Sequence, residues 1–351
     1  MKIKKLTFCS VPLSLATPYT IAYETISRVT NVFVSLKTDI GLVGLGCAAP
    51  DKEIMGDTPE SVLKSLQWCQ EQLIGKSASP NLLKQLAPTV SSSALAAVDM
   101  ALWDLKAKEE NLPLCQLWSC DRDSIETSIT IGILPLEETI VAAQKAVKEG
   151  FQLLKLKGGL NVKKDMERVF RVREAVGSKI KLLFDGNQGY DEESALRFSK
   201  ETEEARVEFI EQPTDKSDIR LLGRVSRKSS LPIMADESLL TVEDAILLAN
   251  EKLSLFNIKL QKVGGLTRAE EICDIAKASN IQCMVGCMDE SALSISAALH
   301  FALANKNVTY ADLDGHLDLV TDPASKAVIL KNGRLYPSPS PGLGMSSLDI
   351  I

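Results

Sequence analysis

Thr130, Lys155, Asp185, Glu211, Asp236, Lys259, Cys287 and Asp312 follow one another at steps of about 25 residues, each at the C-terminal end of a short apolar run. A strand buried on both faces is normally apolar throughout, so a polar group repeated at every end has to be explained. Three of these groups are carboxylates from consecutive units. Brought together, Asp185, Glu211 and Asp236 would repel and hold one another's protons unless a cation sat among them. With oxygen donors only, and neither His nor Cys beside them, the expected ion is hard, and Mg²⁺ is the one that keeps positions open for substrate oxygens. The alternative, that each acid caps its own following helix, stays open for any one of them alone.

The lysines complete the chemistry. Lys155 and Lys157 flank Leu156 in LLKLKGG, so a strand's period of two puts both ammonium groups on one face, where each is expected to lower the other's pKa. An isolated Lys-x-Lys could equally be a strand end reaching into solvent. Lys259, in FNIKLQK, comes from four units further on and therefore from nearly the opposite side. A base on one side, an acid on the other and a metal between them describe removal and return of the proton next to a carboxylate. Lys262 is a weaker candidate at the start of the following loop.

Those placements need a scaffold. From about residue 125 short apolar runs alternate with amphipathic stretches: SITIGIL, LLKLK, KLLFDGN, VEFIEQP, LPIMADES, FNIKLQ, IQCMVGCM and VTYADLD, mostly with helices between them and none read after VEFIEQP. One unit per 25 residues is the signature of an α/β fold, either a full (β/α)8 TIM barrel or a near-complete, modified TIM barrel of the (β/α)7β type, whose chemistry sits where the strands end. Residues 1–120 read differently. NVFVSLKTDIGLVGLGCA carries two strands around a Asp-Ile-Gly turn, and helices are expected over 58–75 and 92–109, the second with Leu95, Val98, Leu102 and Leu105 on one face. This predicts an α+β capping domain, a catalytic barrel over 121–324, and a Pro/Ser/Gly-rich tail over about 325–351 that returns to the cap. A dinucleotide-binding sheet is disfavoured, because Gly41, Gly44 and Gly46 fall in a hairpin with the wrong spacing.

Bulk properties narrow the class. A formal charge of −6 without any Lys/Arg block speaks against nucleic-acid or anionic-membrane partners. No run approaches transmembrane length, and MKIKKLTFCSVPLSL reads as an edge strand rather than a signal peptide. The 8 cysteines lack zinc-type spacing and, with only 2 histidines, are expected to remain reduced thiols in a cytoplasm.

Taken in order, ALWDL, LKLKGG, FDGNQGY, FIEQP, IMADES, NIKLQKVGG, CMVGCMDES and PGLG resemble the enolase superfamily, muconate-lactonizing subgroup, over the whole chain. The resemblance implies Asp185, Glu211 and Asp236 as Mg²⁺ ligands and Lys157 and Lys259 as the acid/base pair. Lys155 would tune Lys157 and help orient the substrate carboxylate, Thr130 would contact substrate, and a homo-oligomer is expected. Asp312-Leu-Asp314 resembles the Asp-x-Asp of dipeptide epimerases, and two carboxylates suit a free α-ammonium. The alternative is a strand end and turn with local uses for each Asp. Glu24 and Asp289 depart from the pattern for an Ala-Glu substrate and add negative charge, pointing to a cationic or uncharged dipeptide. Cys47 stands where a glutamate is common, with no mechanism attached. An N-acylamino acid racemase or o-succinylbenzoate synthase would use the same residues, and a non-catalytic binding protein could use the same fold.

Overall fold

The structure is a computed structural model that describes residues 1–20, 25–86 and 90–351 of the 351-residue chain, so Glu24 lies outside the described residues. Three antiparallel strands, β1 (Ile3–Thr20), β2 (Thr25–Thr38) and β3 (Val43–Ala48), form the cap sheet in the order β1-β2-β3. The β2–β3 turn is tight, with Thr38 N donating to Leu42 O at 2.9 Å and Gly41 at φ 88°. Helix Pro59–Leu73 starts on a capping box made by Thr58 and Ser61, with Pro59 in its first turn.

Helix Ser92–Glu109 is buried on nearly every side, and the reason lies in its two apolar faces. Leu95, Val98, Leu102 and Leu105 pack with Leu6, Val32, Val34 and Leu36 of the cap. Ala96, Met100, Trp103 and Ala107 join the barrel's outer core. The helix is a shared wall between the two layers. It approaches β3 closely because Gly44 and Gly46 lack side chains: a Cβ on Gly46 would lie 1.9 Å from Ala97 O, and one on Gly44 2.1 Å from Ala101 O. Of the three glycines disfavoured as a nucleotide motif, Gly44 and Gly46 are a packing groove and Gly41 belongs to the turn.

After β4 (Ile125–Glu126) come eight parallel strands that neighbour one another in sequence order: β5 (Ile129–Ile131), β6 (Leu153–Lys157), β7 (Lys181–Asp185), β8 (Val207–Glu211), β9 (Ile233–Ala235), β10 (Leu255–Lys259), β11 (Gln282–Gly286) and β12 (Val308–Asp312). The seam between first and last is drawn together by Ser128 N donating to Ala311 O at 2.9 Å and Leu313 N to Thr127 Oγ1 at 2.8 Å. This is the expected near-closed barrel. A helix, Ile219–Lys228, does follow β8, although the sequence reading assigns none there. Its IRLLGRVSRK sets Ile219, Leu222 and Val225 on one face and Arg220, Arg224 and Arg227 on the other, a short helical period that the sequence reading passes over.

The chain closes with a hairpin of β13 (Val328–Lys331) and β14 (Arg334–Pro337), and β14 pairs with β4. Beyond it, Gly342 N donates to Leu112 O, Gly342 O accepts from Leu114 N, and Leu343 N reaches Asp104 Oδ1 at 2.7 Å. Among the described residues no helix is long and apolar enough to cross a membrane.

Candidate active site

A period of two along each barrel strand sorts its interior into layers. Leu153, Leu183, Phe209, Met234, Leu255 and Met284 form an apolar plug toward the N-terminal end, with Tyr310 against it. Two residues on from five of these positions stand Lys155, Asp185, Glu211, Asp236 and Asn257, and one step above Lys155 and Asn257 are Lys157 and Lys259. The same alternation that fills the barrel therefore projects its charges into one mouth.

Asp185, Glu211 and Asp236 are each fully buried and offer carboxylate oxygens within 4.8 Å of one another. Burial first, and Asp185 second, push Glu211 up to about 8. Three buried carboxylates with oxygen donors only and one carboxyl held back from ionising fit a hard divalent cation at this place. Asn257 Nδ2 fixes Glu211 Oε1 at 2.7 Å and Asn187 N fixes Asp185 Oδ1 at 2.9 Å, so two of the three are oriented from behind.

Lysines meet this trio from both sides. Lys157 Nζ lies 2.8 Å from Asp185 Oδ2, and Lys259 Nζ lies 2.9 Å from Asp236 Oδ2. They end β6 and β10, four strands apart in an eight-stranded barrel, and so face each other across it. Lys155 is buried between them, with Nζ 3.1 Å from Asp185, 2.8 Å from Glu211 and 2.8 Å from Asp312. Burial alone would lower its pKa, but Asp312, Glu211 and Asp185 together hold it well above the ordinary lysine value. The lowering expected of Lys155 beside a second lysine is thus outweighed by carboxylates that the sequence reading placed with the metal, Asp185 and Glu211, and with the substrate ammonium, Asp312. Lys259 is raised too: Asp236 is its chief partner against burial. Lys262 is fully buried behind Asp236, paired with its Oδ1, and does not line the cavity.

The fourth side is built from the end of β12. Asp312 accepts from Ser128 Oγ and from Lys155, which hold it ionised despite burial. Asp314 Oδ2 accepts from Thr130 N at 2.6 Å, and burial with Asp312 nearby pushes Asp314 up to about 6. Cys287 Sγ lies 3.9 Å from Asp314 Oδ1.

These groups open into a cavity of about 620 Å³ between the barrel mouth and the cap. Lys155, Lys157, Lys259, Thr130, Asp312, Asp314 and Asp289 all line it. Residues not singled out from the sequence do as well. Asn187 and Glu237 lie at the strand ends within the quoted motifs FDGNQGY and IMADES, where their placement was legible. Asp51 from the cap and Asp318 from the segment after β12 add two rim carboxylates for which one sequence holds no signal. Asp318 also ties the barrel to the cap: its Oδ2 accepts from Thr17 N at 3.0 Å, and Val320 N donates to Ser14 O at 3.0 Å. Cys47 is buried away from the cavity, its carbonyl accepting from Gln261 Nε2 at 3.1 Å.

Residues 3–118 match the mandelate racemase/muconate lactonizing enzyme N-terminal domain, and residues 138–349 the enolase C-terminal domain-like model. The chain is 42% identical to the L-Lys-D/L-Arg epimerase of Desulforapulum autotrophicum, over 99% of this chain and all of that protein. It is 36% identical to the L-Ala-D/L-Glu epimerase of Bacillus subtilis, over 98% and 97% of the two chains. Its structure superposes with a TM-score of 0.93 on the crystal structure of a dipeptide epimerase from Methylococcus capsulatus complexed with Mg and L-Arg-D-Lys, at 38% identity over 99% of this chain and 100% of that one.

Proposed function

Because the chain belongs to the mandelate racemase/muconate lactonizing enzyme family of the enolase superfamily, we propose that it is a Mg²⁺-dependent dipeptide epimerase, an isomerase that inverts the α-carbon of a dipeptide's C-terminal residue. The observation that carries this reading is the opposition of Lys157 and Lys259 across a buried carboxylate trio, with Asp312 and Asp314 on a further side. Asp185, Glu211 and Asp236 would hold the ion. When bound there, Mg²⁺ supplies the positive charge that lets a substrate carboxylate take up the electron pair left by its α-proton.

The chain's own residues do the rest. One lysine, as the free amine, takes the α-proton onto Nζ while the other, as the ammonium, gives a proton to the opposite face; the roles exchange in the reverse direction. Lys157 pairs with Asp185 and Lys259 with Asp236, so each lysine sits against a carboxylate that would also hold the ion, and a cation held there would weaken both ion pairs. Asp314, beside Asp312, receives the α-ammonium of the N-terminal residue. Asp51, Asp289 and Asp318 give the side-chain end of the cavity a negative rim that favours Lys and Arg over Glu. The L-Lys-D/L-Arg epimerase and the L-Arg-D-Lys complex among the relatives support the same preference.

The test is a mixed panel of L,L-dipeptides incubated with enzyme and Mg²⁺ in D₂O, read by mass shift. One α-deuterium enters Lys- and Arg-containing dipeptides faster than Ala-Glu, and EDTA abolishes uptake until Mg²⁺ is restored. No deuterium in any dipeptide refutes the proposal.

A further inference from the structure

Behind Lys157 lies a buried polar group that takes no part in lining the cavity. Asp165 and Arg168, on helix Val162–Val176, and Tyr190, in the loop after β7, are only 2%, 7% and 6% exposed. Arg168 Nη2 donates to the carbonyl of Lys157 at 2.9 Å and pairs with Asp165 Oδ1. The other oxygen, Asp165 Oδ2, accepts from Gly159 N at 3.0 Å and from the Tyr190 hydroxyl at 2.6 Å. The backbone is thus gripped at Lys157 itself and again two residues on.

The grip extends to the neighbouring loop. Gly159 sits at φ +101°, and a Cβ there would lie 2.2 Å from Gly186 O; one on Gly189 would lie 2.2 Å from Gly159 O. Gly158 N donates to Asp185 O at 2.8 Å. Tyr190 stacks on Phe184, with ring centroids 6.1 Å apart, so its ring is placed independently of its hydroxyl. Burying an Asp–Arg pair costs desolvation that apolar side chains of similar volume would avoid. What the ionic version adds is direction: two fixed acceptors and a forked donor aimed at one strand end. None of these hydrogen bonds touches β10, which carries Lys259.

We propose that Asp165, Arg168 and Tyr190 are positioning residues that hold Lys157, and not Lys259, in line with the α-carbon; this rests on the reading of the two lysines as the acid/base pair. The asymmetry makes it testable. In D₂O, a substrate whose proton has been taken by Lys157 either returns with deuterium from Lys157 or inverts with deuterium from Lys259. From the other epimer the two routes exchange places. Y190F removes one hydrogen bond and keeps the ring. Slower proton delivery by Lys157 lowers the ratio of deuterated return to inversion about threefold from the epimer facing Lys157, and raises it about threefold from the other.

A ratio unchanged from both epimers, or moved the same way from both, overturns the proposal, because loss of metal affinity or general loosening slows both routes alike. Should Y190F melt early, R168K, which keeps a cation beside Asp165, gives the same opposed shifts. K157A and K259A, run in parallel, each abolish exchange from opposite epimers. If they do not, it is the reading of the lysines that fails.

Discussion

Asp314 offers the clearest quantitative test, because its environment fixes both the size and the pH of the expected effect. Its carboxyl is raised from an ordinary 3.8 to about 6, chiefly by burial and then by Asp312. The difference of roughly 2 pH units corresponds to roughly 3 kcal/mol between its two forms. Below about pH 6 the group is neutral and offers a substrate ammonium no charge. A hydrogen bond to a charged partner is worth about 1.5–3 kcal/mol, so D314N lowers kcat/KM by roughly 10- to 150-fold at pH 7. In the wild type, kcat/KM falls on the acid side near pH 6 and on the alkaline side near pH 8, where a dipeptide's own α-amine deprotonates. D314N keeps the alkaline limb and loses the acid one. Stability moves the other way. A carboxyl raised on folding favours the folded state at low pH, and that contribution is lost as pH rises through about 6. Asn also keeps an acceptor for Thr130 N, so D314N melts no lower than wild type at pH 7. The assay is initial rate against pH with a Lys-containing dipeptide, beside thermal melts. An acid limb that survives in D314N, or a kcat/KM within twofold of wild type, refutes the reasoning.

Two further outcomes follow from the packing and the rim. G46A sets a methyl group 1.9 Å from the backbone oxygen of Ala97 and destabilises the protein by about 1–3 kcal/mol, seen as a lower Tm. D51N with D318N keeps the hydrogen bonds to Ile54 N and Thr17 N but removes two rim charges. It lowers kcat/KM for Lys- and Arg-containing dipeptides by about 3- to 10-fold and leaves uncharged dipeptides unchanged, measured side by side.

The barrel was legible because its strands carry one polar group each at a regular interval, and because an alternation of two places such groups in one mouth. Asp185, Glu211, Asp236, Lys155, Lys157 and Lys259 were legible as candidates from that rule alone. Asp51 and Asp318 were not, since loops carry no period and only the folded chain brings Thr17 beside Asp318. Helix Ile219–Lys228 was legible too, since its apolar and basic residues separate onto two faces, although the pattern lasts only 10 residues. The upward shift of Lys155 escaped for a different reason: it depends on Asp312, whose distance from Lys155 in the sequence hides a 2.8 Å contact.

That kind of separation has a consequence on the ribosome. The buried carboxylate of Asp104 is satisfied by Lys108 and Leu45 close to it in the cap, and by Leu343 N, which is 239 positions later. At about 5–20 residues per second, roughly 10–50 s of translation separate Asp104 from that last partner. Until the barrel elements that cover it are made, among them Thr267 against the Trp103 indole, the cap's central helix shows its Met100–Trp103 face. The cap is made before the barrel and completed after it, and a nascent-chain chaperone has the time until those elements emerge in which to bind the uncovered face.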